Sequence, residues 1–242
     1  MREATAEKVR FVPFDGRSDA HAERLYHQRV ACGWGEGDVD TWREHCEAGT
    51  KGLWWLVLED GISDREKMIE EHIAQYPDEK DTLQDTATTV LRTPLSCTGS
   101  EFHPVGHVGL EWKPEEDRRL GLPASGVVWL SRFFISHPLQ GYSLGRSAMR
   151  QVEGLAVREP TGARAMALDT QKGESQASEE TIYLLYTARG LPIPSVLKTN
   201  EEWYKRQGYV LIGEEENAYP WPDPRTGTLI WVPRVFLKKD LV

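Results

Sequence analysis

The sequence predicts a single α/β domain, one mixed sheet with helices packed against it. Three observations predict it. Two apolar runs, Leu53–Leu58 and Val127–Ile135, have the length of strands buried on both faces and lack polar alternation. Segments of helical period separate the strand candidates, in the order β, α, α, β, β, β, α, β, α, β, β. The chain has 242 residues, 39% of them hydrophobic, without internal repeats or low-complexity tracts, which suits one large domain carrying insertions.

The elements follow in order. Phe11–Phe14 is a short apolar piece suited to an edge strand. Ser18 or Asp19 can cap a helix through about Val30, which the glycines of Cys32–Gly37 end. Asp38 can cap a second helix through Cys46. Leu53–Leu58 is the next strand, stopped by the turn signal Glu59-Asp60-Gly61. Residues 62–103 read as an insertion, with a charged helix to Ile73 or Tyr76 and then an aperiodic stretch rich in Thr and Ser. Val105–Trp112 and Val127–Ile135 are strands, the second dense in aromatic and β-branched residues. Gly141–Val157 has Leu144, Ala148, Val152 and Leu155 at helical spacing. Ala165–Leu168 is a strand, and residues 172–198 form a second insertion with a helix near 178–189. A short helix near 200–207 stops at Gly208. Tyr209–Ile212 and Leu229–Leu237 close the sheet, joined by the turn-rich Tyr219–Gly227.

The formal net charge is −9, and residues 59–85 carry most of it, with ten acidic and three basic side chains. An acidic chain of this kind is a poor partner for nucleic acid, whose phosphates need clustered Lys and Arg. It is compatible with a cationic substrate, and an acidic insertion that is merely solvated is the plainer cause. No apolar run is long enough for a membrane span, and Met1–Arg10 lacks a secretory apolar stretch. Three unpaired cysteines, Cys32, Cys46 and Cys97, fit a reducing compartment and have no metal-ligand spacing. The expectation is a cytoplasmic, intracellular protein, with the nucleus left open and with no metal and no membrane partner.

Residues 127–148 carry the chemistry: a strand, a tight turn and a helix start. A helix N-terminus exposes unpaired N–H groups and a partial positive charge, so it binds phosphate where the backbone can approach. Gly141, Ser143, Gly145 and Ser147 recur at every second position, and Arg146 adds a formal charge. A Gly-Lys-Ser/Thr triplet is missing, as is G-x-G-x-x-G, so this is neither a Walker loop nor the dinucleotide fingerprint.

Gln140 to Gly145 reads Q-x-x-S-x-G, which resembles motif A of the Gcn5-related N-acetyltransferases, Q/R-x-x-G-x-G/A after a strand. Ser143 stands where the middle glycine usually stands, and a positive φ there would be strained. Trp203–Tyr209 resembles the C-terminal motif Y-x-x-x-G-F/Y that leads into a late strand. Ala165–Thr170 and Val105–Leu110 fall where the family has its fifth and third strands. The likeness runs from about residue 8 to 239, interrupted by the two insertions.

The resemblance implies a mixed, mostly antiparallel sheet of about six to seven strands, splayed at the middle and flanked by helices. It implies transfer of an acetyl or other acyl group from acetyl-CoA to an amine in a ternary complex, without a metal. It places the pantetheine arm against main-chain groups near Phe134 and Ile135. The pyrophosphate falls on the amides from Gln140 through Gly141, Tyr142, Ser143, Leu144, Gly145 and Arg146 to Ser147. Tyr204 matches the family tyrosine that protonates the departing thiolate, and core packing is its plain alternative. Tyr186 is a rival, since Tyr186–Leu191 approximates the same motif. The family's asparagine, seven residues before Tyr204, is replaced by Leu197, and Asn200 is out of register. The family's early-strand glutamate aligns with Trp129, leaving Asp169 and Glu111 as the nearest carboxylates, each with a surface or capping reading beside it. Trp34, in the glycine-flanked loop, can face the acceptor or fill the core. His103 and His107 are too far apart on a strand to share a metal, and His137 shapes the turn before Pro138. Two readings from other classes stand beside the enzyme: a coenzyme A-binding module without turnover, and an interaction domain whose acidic insertion holds a basic partner.

Overall fold

Why the chain folds as it does is clearest from the strands, which carry few polar side chains to the inside. The computed structural model describes residues 7–194, 196–223 and 225–242. Residues 1–6, which open the polar stretch noted above, lie outside the described residues, as do Ser195 in the second insertion and Pro224 in the Tyr219–Gly227 segment. In chain order the elements are β1 (Val9–Pro13), α1 (Asp19–Cys32), α2 (Val39–Glu47), β2 (Lys51–Leu58), α3 (Arg65–Gln75), β3 (Pro104–Glu111), α4 (Pro114–Arg119), β4 (Val127–Ile135), α5 (Leu144–Ala156), β5 (Ala165–Gln171), α6 (Gly173–Gln176), α7 (Glu179–Leu185), α8 (Asn200–Lys205), β6 (Val210–Pro222) and β7 (Leu229–Asp240). The seven strands are hydrogen-bonded in the order β1-β2-β3-β4-β5-β7-β6. The pairs β1–β2, β2–β3, β5–β7 and β6–β7 are antiparallel. β4 and β5 run parallel, over the three pairs Val127–Ala165, Val128–Met166 and Trp129–Ala167. The mixed, mostly antiparallel sheet expected from the sequence is therefore present.

The chain divides into two compact units. The first holds residues up to Trp112 and Leu130–Gly162. Every residue of β2 is buried, as the unbroken apolar run predicts. Leu53, Trp55 and Val57 of β2 join Phe14, Leu25, Trp42 and Phe102 in one core. Ser18 caps α1 by accepting from the His21 amide at 3.3 Å, and Gly33, left-handed at φ +85°, closes the other end. Asp38 does occupy the cap position of α2, but its side chain makes no cap bond and its backbone is already helical. α5 buries Leu144, Ala148, Met149, Val152 and Ala156 on one face; Leu144, Ala148 and Val152 of the spacing read from the sequence belong to this packing stripe, while Leu155 is half-buried beside it.

β3 contributes glycines where β4 comes close. A Cβ on Gly106 would lie 2.2 Å from the Phe134 carbonyl oxygen, and one on Gly109 would lie 2.9 Å from Ser131 Oγ. Only glycine lets the two backbones approach at Gly106, and that approach sets the line of β4 where it enters the turn.

The second unit holds Lys113–Trp129 and Ala163–Val242. Its core gathers Val127, Trp129, Ala165, Ala167 and Phe236, with Leu120 and Ile212 beside them. α4 follows Lys113-Pro114, where the sequence reading has only a strand end. β6 continues through Tyr219 to Pro222, so the first part of the expected turn is strand and the reversal is confined to the residues before Leu229.

The first insertion departs most from its sequence reading. α3 forms as expected, and the aperiodic stretch makes two small ladders, Leu83–Gln84 with Glu101–Phe102 and Thr89–Val90 with Thr93–Pro94. It is not a solvated excursion. Met68 and Leu83 are buried, and Glu79 is 1% exposed. The Glu79 carboxylate accepts from Gln28 Nε2 at 2.9 Å, lies 3.4 Å from His72 Nε2 and 3.9 Å from Arg24 Nε. His103 packs edge-on against His72. Burial, with the neighbouring His72 and Arg24, pushes the His103 imidazole down to about 4. Its neutral form is thus built into the fold. A histidine with a lowered folded pKa stabilises fully above its unfolded value near 6.5, and that stability is lost as pH falls toward the folded value. Chemical denaturation between pH 7 and 4 should show the wild type losing up to about 3 kcal/mol more than His103→Asn. Parallel pH curves for the two proteins would refute the assignment.

Candidate functional site

The turn after β4 is built from main-chain bonds. The Ser136 amide donates to the Val105 carbonyl at 2.9 Å, which ties the end of β4 to β3. Leu139 N then donates to Ser136 O at 2.9 Å, and Gln140 N to His137 O at 3.1 Å, giving one 3-10 turn over His137–Leu139. The Gln140 side chain folds back and donates to the Ile135 carbonyl at 3.2 Å. Gly141 follows at φ +99°, with open space where a Cβ would stand. Ser143 occupies the N-cap of α5 at φ +66°, ψ +14°, in the left-handed region that serine enters only with strain.

α5 starts at Leu144, and its first intrahelical bond runs from Ser147 N to Ser143 O at 3.2 Å. The amides of Leu144, Gly145 and Arg146 therefore precede any intrahelical acceptor and form the donor face of the helix start. Two residues at the limits of the expected span have other duties: the Gln140 amide is held by His137 and the Ser147 amide by Ser143. The Ser147 hydroxyl, buried, donates to Glu7 at 2.6 Å and accepts from Lys8 N at 2.9 Å. Arg146 is exposed, and Lys8 Nζ donates to the Tyr142 carbonyl at 2.9 Å. Lys8 is a second cation at the turn that sequence reading missed, because it comes from the far end of the chain.

The insertion also reaches this turn. Tyr142 Oη donates to Glu71 at 3.3 Å, the His72 ring bonds Ser136 Oγ at 2.8 Å, and Tyr76 Oη meets His137 Nδ1 at 2.7 Å. His137 does shape the turn, and α3 is what holds it. Phe134 and Ile135, at the end of the same strand, are buried. Trp34 is half-buried between left-handed Gly33 and Gly35, and its carbonyl accepts from Arg29 Nε at 2.7 Å.

Tyr204 belongs to the second unit. α8 is capped by Thr199, which accepts from Glu202 N at 3.3 Å, and Gly208 at φ +92° ends the helical stretch before β6. The Tyr204 ring is 8% exposed and lies edge-on to Trp203 at 4.9 Å and Tyr209 at 5.8 Å. Tyr186, its rival, follows α7, and burial raises its phenol above the ordinary value. Leu197 is half-buried and Asn200 exposed.

The two carboxylates weighed as bases are neither surface nor capping groups. Glu111 pairs with buried Lys51. Asp169 lies 3.1 Å from Lys113 and 3.6 Å from Arg234, and accepts from the Tyr219 hydroxyl. Burial favours the neutral acid, but Lys113, Tyr219 and Arg234 outweigh it and hold Asp169 below the usual carboxylate range. A carboxylate so stabilised is a weak base. His103 and His107 serve different networks, the first beside His72 and Glu79, the second bonded to Gln28 and Arg29.

Sequence reading also missed a group of cations around Trp42. Arg132 Cζ lies 4.3 Å, Arg29 Cζ 5.5 Å and Lys51 Nζ 5.9 Å from the Trp42 ring centroid. Arg132 is the available signal, a charged residue inside the apolar strand run, and its φ of +52° marks a break in the extended backbone. Among the described residues no helix is long and apolar enough to cross a membrane.

The strain at Ser143 gives a direct test of the turn geometry. Ser143→Gly should raise stability to chemical denaturation by roughly 0.5–1 kcal/mol, because glycine enters this region without strain, although the freer unfolded chain offsets part of the gain. A loss of stability would mean that the left-handed turn is misassigned.

No protein-family model matches the sequence, and no curated protein sequence matches it. Solved structures do. An aminoglycoside 6'-N-acetyltransferase complexed with coenzyme A matches at TM-score 0.51 and 12% identity, over 96% of this chain and 97% of its own. Arabidopsis thaliana NAA60 in complex with acetyl-CoA matches at TM-score 0.52 and 10% identity, over 96% and 98%. A protein assigned to the GNAT-family acetyltransferases, from Desulfovibrio desulfuricans, matches at TM-score 0.50 and 11% identity, over 97% and 99%. Identities this low carry the architecture and leave substrate open. The chain has the fold of the Gcn5-related N-acetyltransferases.

Proposed function

We propose that the protein is an acyl-CoA-dependent N-acyltransferase, with acetyl-CoA as the donor, and that the whole chain acts as one N-acetyltransferase domain. The observation that carries the reading is the start of α5. Three successive amides, Leu144 to Arg146, precede the first intrahelical acceptor, beside a left-handed Ser143 and an open Gly141. Such a start binds a pyrophosphate through its donors and its dipole. Arg146 and Lys8 add charge of the required sign. The main chain of Phe134 and Ile135 is our candidate for the pantetheine arm, at the end of a strand that the short β4–β5 pairing leaves behind. Two of the structures of like fold hold coenzyme A or acetyl-CoA, which supports the same donor here.

In this reading the reaction is mostly positioning, an amine held beside a thioester. The nitrogen attacks the carbonyl carbon, the C–S bond breaks, the amine proton leaves to water, and the thiolate takes a proton. Tyr204 is our candidate donor of that proton, since an ordinary phenol stays protonated at neutral pH. Trp34 is our candidate for a contact with the acceptor. A coenzyme A-binding module without turnover is the second reading. It is favoured by the ion-paired state of Asp169 and Glu111, which leaves neither available as a base.

Gly145→Glu puts bulk and negative charge at the donor face. It should abolish coenzyme A binding in calorimetry while the protein stays folded, and unchanged affinity would remove the cradle. Tyr204→Phe removes one hydroxyl. It should lower kcat for thiol release by roughly 10²–10⁴-fold, with acetyl-CoA affinity within about threefold. Tyr186→Phe should leave kcat nearly unchanged. If the two tyrosine variants exchange behaviours, the acid lies in the second insertion. Coenzyme A binding without thiol release from the wild type would select the module.

A further inference from the structure

The cations around Trp42 are short of counter-charge. Arg29 and Lys51 are buried, at 3% and 2% exposure, and Arg132 is half-buried with its Nε covered and without a hydrogen-bond partner among the described residues. The single carboxylate paired within this group is Glu111, which is committed to Lys51; Lys51 also donates to Ser131 Oγ at 3.3 Å. Arg29 has neutral partners. Its Nε donates to the Trp34 carbonyl at 2.7 Å, and its Nη1 faces His107 Nε2 at 3.3 Å. The Gln28 amide nitrogen donates to Glu79 and to the Pro104 carbonyl, so Gln28 Oε1 takes the His107 Nδ1 proton and His107 Nε2 is left to accept from Arg29. Burial, with Arg29 and Arg132 nearby, holds His107 neutral. Glu36 and Asp38 on the adjoining loop are exposed; both draw on the Arg29 charge from a distance, without an ion pair to either guanidinium among the described residues. Two guanidinium charges therefore stand near each other without a directly bonded carboxylate among the described residues, Glu36 and Asp38 offsetting them only from the solvent side.

Burying an uncompensated charge is costly, and stacking on Trp42 does not neutralise it. Such a pair persists where a ligand supplies the anion. Arg132 is also well placed along the chain. It precedes Phe134 by two residues on β4. Its planar fork matches a carboxylate with two parallel bonds. We propose that the acyl acceptor is an amine that carries a carboxylate, received by Arg132 with Arg29 behind it, next to the strand end given to the pantetheine arm. Trp34 fixes Arg29 through its carbonyl, which gives the loop between α1 and α2 a part in choosing the acceptor. This rests on the acyltransferase reading for the word acceptor, but the anion site itself does not.

Two measurements separate the inferences. Calorimetry with succinate and with succinamide, in the absence of coenzyme A, tests the site alone. Succinate should bind, succinamide should not, and Arg132→Gln should weaken succinate at least tenfold. Arg132→Lys, which keeps the charge and loses the fork, should fall between. Arg132→Gln should not lower the melting temperature, because it removes an unpaired charge. A second assay follows thiol release from acetyl-CoA with β-alanine and 4-aminobutyrate against their amides. The acids should have at least tenfold higher kcat/KM, and Arg132→Gln should erase that preference through KM, the acids losing at least tenfold more than the amides. Succinate binding that Arg132→Gln weakens, without thiol release on any amine, supports the anion site and sinks the enzyme. Thiol release on amides as fast as on acids overturns the proposal and keeps the enzyme. Tighter binding of inorganic phosphate than of succinate overturns the carboxylate assignment.

Discussion

Much of the first unit follows from the need to satisfy one buried carboxylate. Glu79 is 1% exposed in a protein whose other insertion acids mostly face water. An ionised carboxylate cannot be left alone there, since desolvation costs several kcal/mol after relaxation. Gln28, His72 and Arg24 gather around it and thereby clamp the insertion to α1. From there the bonds run on in two directions. Gln28 orients His107, and His107 faces Arg29. His72 bonds Ser136, whose amide holds the turn after β4. A charge on an apparently dispensable excursion is thus bonded through to both the cation cluster and the turn after β4.

The limits of sequence reading follow from the same bonds. β4 was legible to the residue because aromatic and β-branched side chains in series have few other uses. α5 was legible because its buried residues repeat with the helical period. Even the strain at Ser143 was legible, since a serine in a glycine place is visible in one line. Glu79 was not. In the sequence it is one of ten acids in a charged segment, and nothing local separates the one that turns inward from those that are solvated. Arg132 was visible as a charge within an apolar run, but its neighbours Arg29, Trp42 and Lys51 come from three other elements. Contacts of that kind belong to the topology and not to any window. Asp169 and Glu111 were misread as surface or capping groups because their partners, Lys113, Arg234 and Lys51, are likewise remote or across a strand pair.

Charge bookkeeping by whole-chain totals would have pointed the wrong way. A formal charge of −9 suits a cationic ligand, and most of that charge is in one segment. Fields in a low-dielectric interior depend on the nearest groups, because Coulomb energies there fall off less with screening than at the surface. Three cations lie within 5.9 Å of the Trp42 ring centroid, and the carboxylate bonded within the group, Glu111, is on Lys51. An acidic protein can in this way hold a site of the opposite sign.

The cation cluster also bears on how an amine would lose its proton. Glu111 is paired with Lys51, and Asp169 is stabilised as its anion by Lys113, Tyr219 and Arg234, so Asp169 does not accept a proton readily. A guanidinium pair beside an incoming ammonium acts differently. Each positive charge disfavours the protonated form of a neighbouring amine, which lowers its pKa without a base being present. In the amino acid assigned above, the carboxylate would cancel part of that field once seated, so the effect falls with the degree of neutralisation. Two guanidinium groups against one carboxylate leave one charge over. On that count the cluster would both select the acceptor by its anion and favour the neutral amine, and water would suffice to carry the proton away.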